Sequence, residues 1–108
     1  MANTFKSEFT NLGTTADTNI YTTPVGVTTI LKSIYASNVD GSSSVNISIS
    51  VGATGATAAY LIKDGIVPIQ STLQAITEPL VLEAEDRINA QASSVNGIDI
   101  ILSYMEIT

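Results

Sequence analysis

Three acidic side chains cluster at Glu83, Glu85 and Asp86, the densest charge in the chain. Two carboxylates held close together can perform acid–base chemistry, and several carboxylate oxygens can hold a calcium ion. The alternation of a strand would place Glu83 and Glu85 on the same face, but nothing else in the sequence converges on them. The same pattern suits a solvated turn between two strands, with Arg87 as the local counter-charge. We favour the turn.

The other residues that could react lack their usual partners. The chain has no histidine and no cysteine, so it has neither the commonest general base nor a thiolate nucleophile, and its serines cannot form a triad. The segment NVDGSSS, residues 38–44, offers oxygen ligands but lacks the glycine and glutamate of an EF-hand, so we interpret it as a hairpin turn. We expect no catalytic residue, no metal and no cofactor, and a protein that is not an enzyme.

The charge balance excludes further classes of partner. The net charge is −6, and the few basic residues are scattered rather than clustered, so we expect no nucleic-acid binding. No apolar run approaches the ~20 residues of a membrane span, and the N-terminus does not resemble a secretory signal, so we expect synthesis in a cytoplasm and no membrane contact. Only 13% of residues are charged, which favours a surface that meets other protein.

The segments that must position these side chains alternate between apolar and polar residues, with a period of two. VNISISV, residues 45–51, alternates most clearly, and about eight to ten such segments are separated by turn signals such as Asp64-Gly65. This pattern predicts an all-β fold, an antiparallel β-sandwich of the jelly-roll type. We expect a single domain over residues 1–108, in which residues 1–12 form an N-terminal arm or an edge strand.

The predicted last strand, within GIDIILSYMEIT at residues 97–108, is apolar on both faces. We assign the face of Ile98, Ile100, Leu102 and Tyr104 to the core, so the second face needs another cover. Interface cores are rich in aromatic residues and methionine and poor in charge. We therefore predict contacts with another copy of the chain or with a partner protein through Phe5, Phe9, Ile101, Met105 and Ile107. Alternatively, the two phenylalanines cover one end of the sandwich.

Four motifs resemble a group of short virion proteins of tailed bacteriophages, especially phages of marine and cyanobacterial hosts. They cover roughly residues 18–107 and consist of a Tyr-Thr-x-Pro-x-Gly turn, an I-x-x-I-x-x-x-N strand, an L-x-L-E-A-x-D-x-I segment and a closing V-x-x-x-S-Y-x-E-I strand. They correspond here to Tyr21–Gly26, a strand from Ile30 or Leu31 to Asn38, Leu80–Ile88, and a strand from Ile100 or Ile101 to Ile107. The family's pattern usually has glycine where this chain has Glu85.

The resemblance implies a β-sandwich protein of the virion. Such proteins serve as head decoration, or cement, proteins bound outside the capsid shell, often as homotrimers, and the major capsid protein of the same phage would be the partner. The expected location is the capsid surface, after assembly in the host cytoplasm. The alternatives are a tail, neck or fibre-associated module, or a carbohydrate-binding adhesion module that uses the four tyrosines.

Overall fold

A computed structural model describes residues 2–108, which form an all-β fold without helices in that range. Nine strands follow one another, within the eight to ten that the period-two pattern predicts. They are β1 Asn3–Asn11, β2 Thr18–Thr22, β3 Thr28–Asn38, β4 Val45–Gly52, β5 Ala59–Val67, β6 Thr72–Gln74, β7 Leu80–Leu82, β8 Arg87–Ala92 and β9 Ile98–Ile107. Nothing in the described chain is a helix long and apolar enough to cross a lipid bilayer.

The strands form two sheets in which every pairing is antiparallel. The five-stranded sheet has the order β1-β9-β3-β6, and β7 pairs with β3 beside β6, at the other end of β3. The four-stranded sheet has the order β2-β8-β4-β5. Neighbours within each sheet are mostly distant in the sequence, so successive segments pass from one sheet to the other. The predicted all-β class with antiparallel sheets is confirmed.

One hydrophobic core lies between the two sheets. On β9 the side chains of Ile98, Ile100, Leu102 and Tyr104 are buried, which confirms the predicted core face of this strand. Ile34 of β3 lies directly opposite Leu102 and is also buried. The four-stranded sheet contributes Val45, Ile47, Ile49, Val67, Ile88, Ala90 and Ala92. The arrangement is that of a β-sandwich.

The prediction of a turn at Asp64-Gly65 is wrong, because both residues lie inside β5. Lys63 and Asp64 together face the single residue Ser48 of β4, which makes a β-bulge. Asp64 takes a positive φ of 53°, and its amide donates to the Ser48 hydroxyl at 2.9 Å. Asp-Gly often marks a turn because both residues tolerate a positive φ. Here the same tolerance allows a β-bulge.

The acidic cluster forms the predicted turn between β7 and β8. The Asp86 amide donates to the Glu83 carbonyl at 3.0 Å, and the Asp86 carboxylate accepts from the Glu83 amide at 2.9 Å. Glu83 and Glu85 therefore belong to the turn, and their expected placement on one strand face is wrong. Glu85 has a positive φ of 69° whereas Ala84 does not, which is the pattern of a type II turn.

Glu85 occupies a position that favours glycine, so replacing it with glycine should stabilise the protein. A side chain at positive φ is strained, and we expect Glu85→Gly to raise the free energy of unfolding by about 0.5–1 kcal/mol. The backbone bonds of Glu85 to Thr23 and Thr54 would remain. Urea titration of both proteins measures the change. Ala84→Gly, one residue earlier and not at positive φ, is the control and should bring no gain; equal effects of the two substitutions would contradict the turn assignment.

Candidate interaction surface

The five residues predicted to make contacts lie together on the outward side of the five-stranded sheet. Ile101, Met105 and Ile107 alternate with the core residues of β9 and therefore point away from the core. In the β1–β9 register, Phe5 lies opposite Met105 and Phe9 lies opposite Ile101. Directly opposed residues of an antiparallel pair share one face of the sheet. Two sequence segments about a hundred residues apart thus build one surface.

Strands β3 and β7 extend this surface with three side chains that sequence analysis missed. Ile30 lies opposite Met105, Val81 lies opposite Ile30, and Tyr35 lies opposite Ile101. We call the whole surface the apolar face; it consists of Phe5, Phe9, Ile30, Tyr35, Val81, Ile101, Met105 and Ile107. A bulge at Lys32 shifts the alternation of β3, so that Leu31 and Ile34 both enter the core. A strict two-residue period cannot assign faces across that bulge.

The two phenylalanines are far more exposed than their type usually is. Phe5 is 71% exposed and Phe9 is 74% exposed, because β1 is an edge strand that pairs with β9 alone. The alternative in which they cover an end of the sandwich is wrong, since neither is part of the core. The Lys32 ammonium lies over the Phe5 ring, 5.7 Å from its centre. Large aromatic side chains left in water at one edge mark a surface that can bind other protein.

A polar network lies behind the apolar face, between the two sheets. The Tyr21 hydroxyl donates to one oxygen of the Glu106 carboxylate at 2.7 Å, and the Lys6 ammonium contacts the other oxygen at 2.7 Å. The Thr29 hydroxyl lies 2.8 Å from that of Tyr21 and, because Tyr21 uses its only proton on Glu106, Thr29 donates to it. Both carboxylate oxygens are therefore satisfied, and strands β1, β2, β3 and β9 are joined.

The network shifts the pKa of its members. Lys6 holds the pKa of the Glu106 carboxyl below its ordinary value, with help from the Tyr21 hydrogen bond and against the effect of burial. Burial, more than any other cause, raises the pKa of Tyr21. Burial and the Glu8 carboxylate raise the pKa of Tyr104 to about 12. The carboxylate is therefore charged and both phenols are neutral at physiological pH.

The tyrosines do not share one surface. Tyr21 and Tyr104 are buried with their ring centres 4.6 Å apart, and the Tyr104 hydroxyl donates to Glu8 at 3.3 Å. Tyr35 lies on the apolar face, whereas Tyr60 lies on β5 in the other sheet. A sugar ring stacked on several tyrosines would need them side by side.

The carboxylate of Asp40, in the oxygen-rich loop after β3, forms hydrogen bonds that stabilise the local fold. Asp40 accepts from the amide and the hydroxyl of Ser42 at 3.2 and 2.6 Å, and from the Ser94 hydroxyl at 3.2 Å. The Ser42 bonds lower the pKa of Asp40. Within residues 2–108, no group of three or more His, Cys, Asp or Glu side chains is placed to hold a metal ion.

The outward side of the four-stranded sheet has the opposite character. Asn89 and Gln91 of β8 are exposed or half-exposed there, next to Asn19 of β2 and Asn46 of β4. The Asn89 amide donates to Asp17 at 2.9 Å, and the Asn19 amide donates to Asn89 at 3.1 Å. This outer surface thus carries amides suited to water on β2, β8 and β4, with Tyr60 and Ile66 exposed on its edge strand β5, whereas the other outer surface is apolar across its strands.

Comparison with solved structures finds a likeness of fold to a chain of a bacteriophage capsid structure. No protein-family model matches the chain, and no curated protein matches it. Among solved structures, a chain from the acidic stable capsid structure of Helicobacter pylori bacteriophage KHP30 matches with a TM-score of 0.54 and 10% identity, covering 100% of this chain and 89% of that chain. At this identity the likeness shows a shared fold.

Two further matches are weaker. Eiger TNF from S. frugiperda has a TM-score of 0.37 and 14% identity, covering 82% of this chain and 61% of that chain. A chain of infectious bursal disease virus, Gt strain, has a TM-score of 0.36 and 8% identity, covering 98% of this chain and 30% of that chain. Of the three, only the bacteriophage capsid chain has a TM-score that indicates the same fold.

Proposed function

We propose that this protein is a structural component of a bacteriophage virion, a decoration protein that binds the outer surface of the capsid. The observation that carries the proposal is the fold shared over the full chain with a chain of a phage capsid structure. The resemblance of four sequence motifs to short phage virion proteins supports it independently. We propose a location on the capsid surface, reached after assembly in the host cytoplasm, and no enzymatic activity.

We infer further that the sandwich is a jelly roll. In a jelly roll, eight strands form two sheets through two Greek keys. Here β6 and β7 pair with opposite ends of β3 and together occupy the place of one strand, which leaves eight positions. The chain then crosses between the sheets at β1-β2, β2-β3, β3-β4, β5-β6, β7-β8 and β8-β9, and four antiparallel strands lie in each sheet.

The architecture suits attachment to an assembled shell. Two hydrogen-bonded sheets packed around one core form a rigid body. A protein that holds neighbouring capsid subunits together needs such rigidity. We propose that the protein acts as a homotrimer with the major capsid protein of its phage as partner. A ring of three copies closes on itself and presents three attachment points, so that weak single contacts add up to stable binding.

Counting copies of the chain in purified virions tests this proposal. Quantitative mass spectrometry gives its ratio to the major capsid protein, which serves as the internal standard. A decoration protein should be present in hundreds of copies, in proportion to the local three-fold positions of the shell. About a dozen copies or fewer would instead indicate a tail, neck or fibre module and would overturn the decoration role.

A further inference from the structure

The apolar face has a relief of ridges and a trough, set by the register of its strands. Phe5, Met105, Ile30 and Val81 lie in one row across four strands. A second apolar row contains Phe9, Ile101 and Tyr35. A third row lies between these two and is two residues from each along the strands. Neighbouring rows are therefore ~7 Å apart.

The row between the two ridges consists of small side chains. Ser7 of β1 lies opposite Ser103 of β9, which lies opposite Ser33 of β3. A depression of about 340 Å³ lies over this serine row at the β1–β9 side; its lining is Phe5, Lys6, Ser7, Lys32, Ser103 and Tyr104. We call this serine row the trough. The exposed ring of Phe5 flanks it on one side and that of Phe9 on the other.

We propose that another copy of this chain covers the apolar face, with the Phe5 or Phe9 ridge of one copy packed into the serine trough of its neighbour. This inference deepens the proposed homo-oligomer and rests on that part of the proposed function. Ridge and trough occur on the same surface, so each copy offers both halves of the contact. Head-to-tail insertion around a three-fold axis closes the ring of the proposed homotrimer, whereas mutual insertion would give a two-fold pair.

The size of the face fits the apolar centre of an interface between copies. It spans four strand positions ~4.8 Å apart and six residue steps of ~3.4 Å, from Ile101 to Ile107, which gives roughly 400 Å² in projection before the relief of the side chains is counted. A stable interface buries roughly 800 Å² per partner, so this face supplies about half of that area and polar residues around it would supply the rim. Its charged residues lie beside the apolar rows: Lys32 is stacked beside Phe5, Lys6 borders the trough while paired with Glu106, and Asp99 accepts from Asn11 at the end of β9. The apolar rows themselves therefore carry no charge that has to be desolvated.

Measuring the mass of the purified chain in solution tests the inference. Light scattering behind size-exclusion chromatography should show an oligomer over roughly 1–100 µM protein, the range in which micromolar dissociation constants are resolved. The double variant Phe5→Ser/Phe9→Ser should weaken association by roughly a hundredfold and run as a folded monomer. Tyr60→Ser/Ile66→Ser is the matched control, because these side chains are 53% and 64% exposed on β5 in the other sheet; it should leave the mass unchanged.

A second variant tests the trough separately from the loss of apolar area. Ser7→Lys fills the trough with a long charged side chain at an exposed edge position and removes no apolar group, so it should weaken association at least tenfold while the fold survives. A monomeric wild type overturns the inference, as does an oligomer that neither variant disturbs. If the wild type is a monomer but Phe5→Ser/Phe9→Ser no longer binds capsids, the shell rather than another copy covers this face. The outcome is independent of the copy count in virions, which tests the proposed location.

Discussion

Leu102→Ala should lower the free energy of unfolding by about 3 kcal/mol, a large part of the roughly 5–15 kcal/mol that stabilises a domain of this size. Leu102 is 1% exposed at the centre of β9, directly opposite the buried Ile34 of β3. Truncation removes its transfer free energy and leaves a cavity that strands paired on both sides cannot close. Thermal and urea unfolding at low protein concentration measure the loss, which should lower the Tm by roughly 10–20 °C.

Ile101→Ala, one residue earlier on the same strand, is the matched control. Ile101 points to the apolar face and is half-buried, so its truncation should lower the stability of the monomer by less than about 1 kcal/mol. Any larger effect of Ile101→Ala should appear as weaker association and should vanish on dilution. Equal losses for the two substitutions in the monomer would mean that the faces of β9 have been assigned the wrong way round.

The sequence was sufficient to predict the regular strands and the faces of the longest uninterrupted one. β9 alternates without a bulge, so Leu102 and Ile101 separate cleanly by period alone. On β3 and β5 the alternation fails, because bulges at Lys32 and at Lys63-Asp64 insert an extra residue. A bulge depends on what the partner strand offers at that point, such as the Ser48 hydroxyl that accepts from Asp64. That information is not local in the sequence.

The candidate surface was predictable only in part for the same reason. Phe5 and Met105 stand out by residue type, and their strands could be recognised. That they face each other follows from the pairing of the first and last strands, which composition does not reveal. Val81 reaches the surface only because the short strand β7 docks on β3.

The polar network was missed because its carboxylate lies on a face expected to be core. Glu106 continues the alternation of Leu102 and Tyr104 and is therefore turned inward. A charged residue that faces the core needs a partner, so the position of Glu106 in the alternation already indicated a buried ion pair or hydrogen-bond network. Two motifs of the phage-protein resemblance meet here, since Tyr21 belongs to one and Glu106 to the other.

Lys6→Met should therefore be among the most harmful substitutions outside the hydrophobic core. It leaves the Glu106 carboxylate, whose side chain is 9% exposed, with Tyr21 as its remaining hydrogen-bond donor. We expect a loss of about 1–3 kcal/mol at neutral pH, the usual effect of leaving a buried charge without its partner. The double variant Lys6→Met/Glu106→Gln removes charge from both partners and keeps an acceptor for Tyr21, so it should recover part of the loss.

The pH dependence of that loss distinguishes the ion pair from simple packing by the Lys6 side chain. The pKa of Glu106 is lowered in the folded protein, so the stability from its charged form is fully present above the ordinary value of 4.5 and is lost as the pH falls through the folded pKa. Protonated Glu106 no longer needs a cation, so wild type and Lys6→Met should begin to converge in stability as the pH falls below 4.5. A difference that does not shrink as the pH is lowered below 4.5 would show that the methylene groups of Lys6, rather than its charge, stabilise β1 on the sheet.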